Sequence, residues 1–290
     1  MASDKMKNLI VRALSGLVMA AVLVAALFVS PWTFGVLLLV LLVGALHEFY
    51  ALTRCCGADP QAPLGMAAGA MLVAGGFLSF GCTTGLGDGR AMVSAAGTAL
   101  LLFLLLLALA FVCELFRGRP SPVANVGATL TGILYAALPL ALLPWVSLLA
   151  TGTWEPKAVL AFILIVWAND VCAYLVGMTC GRHKLCERIS PKKSWEGFAG
   201  GIAGAVLAGW GLACWFGFEE GLWAVLAAVV AVSGVAGDLV ESMFKRAAGV
   251  KDSGRVIPGH GGVLDRFDAL LVAVPFGVIA LLVMRFWFSM

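Results

Sequence analysis

Acidic residues stand where so apolar a chain has little reason to keep them. Asn169 and Asp170 interrupt the run AVLAFILIVWANDVCAYLVGMTCGR, and Asp238 and Glu241 lie in GDLVESMFKR at the end of another apolar run. An ionisable side chain inside a membrane span costs a few kcal/mol on insertion scales, so it faces protein or water and marks function by default. For Asp170 the alternative is a packing residue hydrogen-bonded to a neighbouring helix. On a helix turning 100° per residue, Asp238, Ser242 and Lys245 fall within about 60° of one another, with Glu241 flanking them. Glu241 and Lys245 also form an i,i+4 pair in the favoured order, so a structural salt-bridge stripe is a second reading of this face.

Two basic stretches adjoin these acids. The first, residues 180–197, carries Arg182, Lys184, Arg188, Lys192 and Lys193 among the hydroxyls of Ser190 and Ser194, just before a new helix. Helix N-termini favour anions. The serines are therefore phosphate donors or simple helix caps, and the lysines are phosphate ligands or anchors to anionic headgroups. The second stretch, 245–268, holds Lys245, Arg246, Lys251, Arg255 and Arg266 around a turn in which Gly259, Gly261 and Gly262 surround His260. Backbone free of side chains can approach a ligand closely there. Asp265 and Asp268 then open the last helix three residues apart, on one side of it.

Together, Asp170, Asp238, Asp265 and Asp268 are expected to converge at one membrane face within a ring of lysine and arginine. Oxygen-only carboxylate sites suit Mg²⁺ shared with substrate phosphates, and the basic side chains suit the phosphates themselves. The set reads as metal-assisted phosphoryl or nucleotidyl transfer on a membrane-embedded substrate. Residue chemistry alone names neither a nucleotide nor a lipid.

The elements that must position these groups follow from composition. Of 290 residues, 62% are hydrophobic and 12% charged, against roughly 45–50% and about 25% in soluble domains; mean hydropathy is +1.02. Disorder, a coiled coil and a secreted disulfide scaffold are excluded. Apolar runs long enough for a ~20-residue span lie near 10–30, 33–52, 64–81, 92–113, 126–149, 158–179, 198–217, 221–244 and 269–288. These predict an all-α polytopic membrane protein of about nine transmembrane helices. The 35 glycines suit helices that pack closely without water to drive them together.

Lys5, Lys7 and Arg12 precede a first run too long for a signal peptide, which reads as a retained helix. Pro139 and Pro144 predict a kink in the fifth span. Counting spans from an inner N-terminus, 16 of the 19 Lys and Arg residues fall on inner segments. The N-terminus is thus expected in the cytoplasm and the C-terminus outside. Residues 1–125 read as scaffold helices and 126–290 as a catalytic region, with a cytoplasmic-face site in 165–270. Among the eight cysteines only Cys180 and Cys186, with His183, hint at zinc, and no second half-site accompanies them; the cysteines read as inert, buried small residues.

The stretch Ser242-x-x-Lys245-Arg246-x₄-Lys251-Asp252-x-Gly254-x-x-Ile257-Pro258-x-His260-Gly261-Gly262-x-Leu264-Asp265-Arg266-x-Asp268 closely resembles the signature of the phosphatidate cytidylyltransferase (CDP-diglyceride synthase) family. A second match, Asp170-x-x-Ala173-Tyr174 followed by Ile189-Ser190-Pro191-Lys192-Lys193-Ser194-Trp195-Glu196-Gly197, supports it. The two cover roughly 165–270. Val171 and Ser194 stand where the family often has Thr; Ser194 keeps the hydroxyl and Val171 loses it.

The resemblance implies transfer of a cytidylyl group from CTP to phosphatidic acid, giving CDP-diacylglycerol and pyrophosphate with Mg²⁺, and leaves room for a second, monovalent cation. It implies Asp238 and Asp265 as metal ligands, with Asp170, Asp268 and Lys245 as catalytic groups completing the site. Ser190, Lys192, Lys193 and Ser194 would hold phosphates on one wall, and Ser242, Arg246, Lys251 and Arg266 on the other. His260 would contact phosphate or order its turn; a lipid phosphomonoester already carries about −1.5 to −2 charge and needs no strong base. The implied partners are CTP, phosphatidic acid and membrane lipids, with no nucleic acid and, by analogy, a homodimer. The implied setting is the bacterial cytoplasmic (inner) membrane.

An ion-coupled transporter also keeps acids in the membrane, but it predicts broken helices in two repeats and charge near the midplane, neither of which the sequence displays. A polyprenol kinase or a cytidylyltransferase for another lipid is a nearer alternative. The D-G-x₂-A-R pattern of CDP-alcohol phosphotransferases is absent.

Overall fold

The structure, a computed structural model, describes residues 2–254 and 261–288, with side chains described for 14–254 and 261–287. Nine helices run through the described residues: α1 (Ala2–Val29), α2 (Pro31–Cys55), α3 (Ala62–Thr84), α4 (Gly89–Arg117), α5 (Pro122–Thr151), α6 (Pro156–Cys180), α7 (Trp195–Phe216), α8 (Glu220–Ala247) and α9 (Leu264–Phe288). Eight of them, α2 to α9, are long and apolar enough to cross a membrane, and the described part of α1 adds the apolar segment Leu14–Val29. The chain is an all-α polytopic membrane protein. Among the described residues, β1 (Lys184–Cys186) and β2 (Ser190–Ser194) pair antiparallel within the first basic stretch.

The helix boundaries follow local chemistry. Ser30 caps α2 with Pro31 at its first position, and Asp88, Glu155 and Ser194 cap α4, α6 and α7 with side-chain oxygens; each satisfies an amide that the first turn leaves open. In α5 a π-turn over Ile133–Ala137 stands just before Pro139, with Leu138 N donating to Ile133 O. Proline has no N–H to return to the carbonyl four residues back and its ring crowds that carbonyl, so a widened turn there is the local answer to the expected kink.

The chain forms two compact units, one of Met1–Ala141 with Phe244–Phe267 and the other of Leu142–Met243 with Asp268–Met290. In the first, α2 is the buried centre, with Phe34, Leu38, Leu42, Leu46, Phe49 and Tyr50 each no more than 2% exposed. The Tyr50 hydroxyl donates to Thr129 O at 3.0 Å. By contrast only 17% of the most apolar stretch of α4 is buried, and Leu101, Leu104, Phe111, Leu115 and Phe116 face outward. Such an outward face suits lipid tails.

In the second unit α6 and α7 lie in close contact because α7 offers glycine where α6 comes near. A Cβ on Gly197 would stand 2.8 Å from Ala173 O, and one on Gly201 would stand 2.6 Å from Asn169 Oδ1. Small residues let backbones approach where packing, not water exclusion, drives association.

Candidate active site

Within the second unit three elements carry acids into one place. On α8, Gly237 precedes Asp238, and a Cβ on Gly237 would lie 2.6 Å from Asp268 O. Only glycine lets α8 and α9 close to that distance, and the closure sets Asp238 beside Asp268. Asp238, Glu241 and Asp268 each bring a carboxylate oxygen within 4.8 Å of the others. Asp170, exposed on α6, lies within electrostatic reach of Asp238 and Asp268. Its neighbour Asn169 is fully buried; Nδ2 lies 3.5 Å from Asp170 Oδ1, while Oδ1 is buried with no hydrogen-bond partner.

The hairpin supplies the cation. Lys193 Nζ reaches Asp238 Oδ2 at 2.6 Å, and Ser242 Oγ lies 3.4 Å from Asp238 Oδ1. Side chains alternate along a strand: Lys193 is half-buried against the acids while Lys192 is exposed. Ser190 pairs with Cys186 at the far end of the strand pair, and Ser194 pairs with Lys184. Ser194 Oγ accepts from Gly197 N at 3.1 Å and is buried, so the capping reading of this serine is realised. Glu196 ties the hairpin to α7: its Oε2 accepts from Arg182 N at 3.0 Å, and its Oε1 lies 2.6 Å from His183 Nδ1. That contact engages the histidine of the Cys180–Cys186 grouping with a carboxylate. All eight cysteines are free thiols, and five of them are exposed rather than buried: on a chain whose outer face is apolar, a small thiol meets no penalty there.

Within the first unit Lys245 Nζ donates to Asp265 Oδ1 at 2.7 Å, both side chains being largely buried. Asp265 Oδ2 accepts from Gly262 N at 2.8 Å and from Ser253 N at 3.0 Å. Gly261 holds φ +86, a left-handed conformation that glycine adopts without strain, and a Cβ there would press on Asp265 Oδ2. Arg246 Nη1 donates to Val250 O at 3.4 Å, closing the end of α8. Lys251 and Arg266 are exposed. Arg255 and His260 lie outside the described residues, as do the side chains of Lys5, Lys7 and Arg12.

Of the acids singled out by sequence, Asp170, Asp238 and Asp268 thus share one cluster with Lys193, and Asp265 pairs with Lys245. Glu241, read from sequence only as a flanking residue, is a full member of the cluster; its angular position on α8 is ambiguous until the position of α9 is known. Glu48 in α2, an acid in an apolar span, satisfies the same criterion that picks out Asp170 and is missed because no motif surrounds it.

A sequence model of the cytidylyltransferase family matches residues 10–284. A phosphatidate cytidylyltransferase of Staphylococcus aureus (strain COL) is 46% identical over 119 residues, which are 40% of this chain and 46% of that protein. One from Staphylococcus epidermidis is 46% identical over 121 residues, 41% of this chain and 46% of the relative. One from Staphylococcus saprophyticus is 45% identical over 119 residues, with coverage of 40% and 46%. The matched stretch spans about half the length of these curated relatives.

Proposed function

This chain belongs to the cytidylyltransferase family, and from that premise we propose that it transfers the cytidylyl group of CTP to phosphatidic acid, yielding CDP-diacylglycerol and pyrophosphate in the membrane. The observation that carries the proposal is the carboxylate cluster of Asp238, Glu241 and Asp268, whose oxygens lie within 4.8 Å of one another. At an effective dielectric of about 20, two carboxylates at that separation repel by roughly 3.5 kcal/mol. Lys193 offsets part of the charge. An all-oxygen, strongly anionic donor set of this size fits Mg²⁺, which takes one or two carboxylates and leaves positions for phosphate oxygens.

Asp238 and Asp268 are the residues proposed to hold the ion, with Glu241 beside them. Asp265, which the motif also nominates, is held by Lys245 within the first unit. When bound, Mg²⁺ supplies Lewis-acid neutralisation of the phosphate charge. The chain's own groups do the rest. Lys193, paired with Asp238 in this structure, is the ammonium group proposed to turn toward incoming phosphates. A phosphatidate oxygen then forms its bond to the α-phosphorus of CTP as the bond to the β-phosphate oxygen breaks, and pyrophosphate leaves. The lipid phosphate is already dianionic or nearly so, so positioning and charge neutralisation carry the acceleration. The excess of Lys and Arg on the segments bearing this site supports a cytoplasmic-face location in a bacterial inner membrane.

The test is incubation of the purified protein with labelled CTP, phosphatidic acid and Mg²⁺. A lipid-soluble cytidine product that disappears with chelator and returns with added Mg²⁺ is expected. Release of label without a lipid product, or no turnover at all, would overturn the proposal.

A further inference from the structure

Glu48 takes no part in the chemistry above, yet it is 2% exposed in α2 and meets three donors from a single neighbourhood. Its Oε1 accepts from Val263 N at 2.9 Å, and its Oε2 accepts from Leu264 N at 2.9 Å. The same Oε2 lies 3.0 Å from Ser253 Oγ. A buried carboxylate is costly unless its oxygens are satisfied. Here the amides belong to the residue before α9 and the first residue of α9, where unpaired N–H groups and the positive end of the helix dipole favour an anion. The surroundings leave no slack: a Cβ on Gly254 or on Gly262 would collide with the Glu48 carboxylate.

Ser253 links this anchor to the site. Its Oγ lies 3.0 Å from Glu48 Oε2 and 3.0 Å from Asp265 Oδ2, and its one hydroxyl proton serves a single acceptor at a time. The Ser253 amide stays with Asp265 whichever way the proton turns. Asp265 in turn holds Lys245. Glu48, Ser253, Asp265 and Lys245 therefore form a continuous chain of polar contacts within the first unit, and the first turn of α9 is fixed at both ends of that chain.

We propose that Glu48 is a positioning residue. It pins the start of α9 within the first unit and so sets the angle at which Asp265 is presented to Lys245, without itself touching substrate. The consequence for turnover rests on the cytidylyltransferase reading above; the anchoring itself does not. Glu48→Gln keeps the shape but turns one acceptor into an NH₂ that faces amide donors.

The expected result in full-length protein has three parts. The kcat of E48Q falls at least tenfold, the Mg²⁺ concentration for half-maximal activity rises severalfold, and KM for CTP stays within about twofold. Amide hydrogen exchange in 251–254 and 262–266 accelerates, while that of α6 and α7 matches the parent. Glu48→Asp, which keeps the charge on a shorter arm, recovers part of the turnover. A folded E48Q with parental kcat, or with parental exchange in those two segments, overturns the inference. If E48Q does not fold, E48D is judged by the same two criteria. An inactive parent protein would instead refute the proposed reaction, so the two failures are told apart before any variant is made.

Discussion

At Asp268 the proposed function and the stability of the fold pull in opposite directions. Its carboxylate shares a space of 4.8 Å with Asp238 and Glu241, and only a backbone amide, Ala269 N at 2.8 Å, donates to its Oδ1 among the described hydrogen bonds. Removing one charge from such a cluster relieves repulsion, whereas removing a ligand weakens the hold on a divalent cation. Asp268→Asn is therefore expected to unfold, without Mg²⁺, at the same temperature as the parent or higher. On the proposed metal site, Mg²⁺ at ten times its Kd should stabilise the parent by about 1.4 kcal/mol, and this gain should be lost in D268N together with turnover. Thermal unfolding with and without Mg²⁺ measures both; an undiminished Mg²⁺-induced shift in D268N would take Asp268 out of the metal shell. The sequence displays Asp268 as one of two acids three residues apart. That it joins Asp238 and Glu241 while Asp265 joins Lys245 depends on what packs against each side of α9, which no spacing along the chain reveals.

At the scale of elements, glycines decide which helices meet and the hairpin decides which cation arrives. Gly237 has Asp268 O, Ala269 Cα and Val272 Cβ within 3.0 Å of where a Cβ would sit, whereas Gly211 on α7 has nothing within 4 Å. Gly237→Ala should force α8 from α9, costing roughly 1–3 kcal/mol as overpacking does, and should reduce turnover far more than Gly211→Ala. The latter should be neutral or slightly stabilising, since alanine is the better helix former. Comparing unfolding midpoints and kcat of the two variants checks this, and equal behaviour would refute the close-approach argument. The nine apolar runs read directly from sequence because a ~20-residue span is a long signal. The hairpin does not: strands of three and five residues, one containing Pro191 and two lysines, carry no apolar alternation for sequence to display.

For the molecule as a whole, the expected topology has a direct test. From the charge asymmetry, the ends of α2 and α6 and the hairpin are expected on the N-terminal, cytoplasmic side. Cys55 and Cys56 follow α2 or end it, and Cys180 and Cys186 lie at the end of α6 and in β1; Cys55, Cys56 and Cys180 are exposed. A membrane-impermeant maleimide should modify these thiols in inside-out vesicles and spare them in intact, right-side-out ones, as read by peptide mapping. Modification from the outer side would invert the orientation and remove the site from cytoplasmic CTP.

What the amino-acid order settles alone is whatever is local or repeats along the chain: the membrane solvent, the spans, the acids within them and the motif that runs through residues 242–268. Hydropathy and helix periodicity act over a few turns, so a linear reading captures them. Tertiary structure decides the pairings. Glu48 meets donors 205 to 216 residues away, Lys193 in the hairpin finds Asp238 on α8, and Glu241 becomes part of an acid cluster. Each of these depends on which helix faces fit together, and that is fixed by side-chain volume and close approach in three dimensions, not by position in the chain.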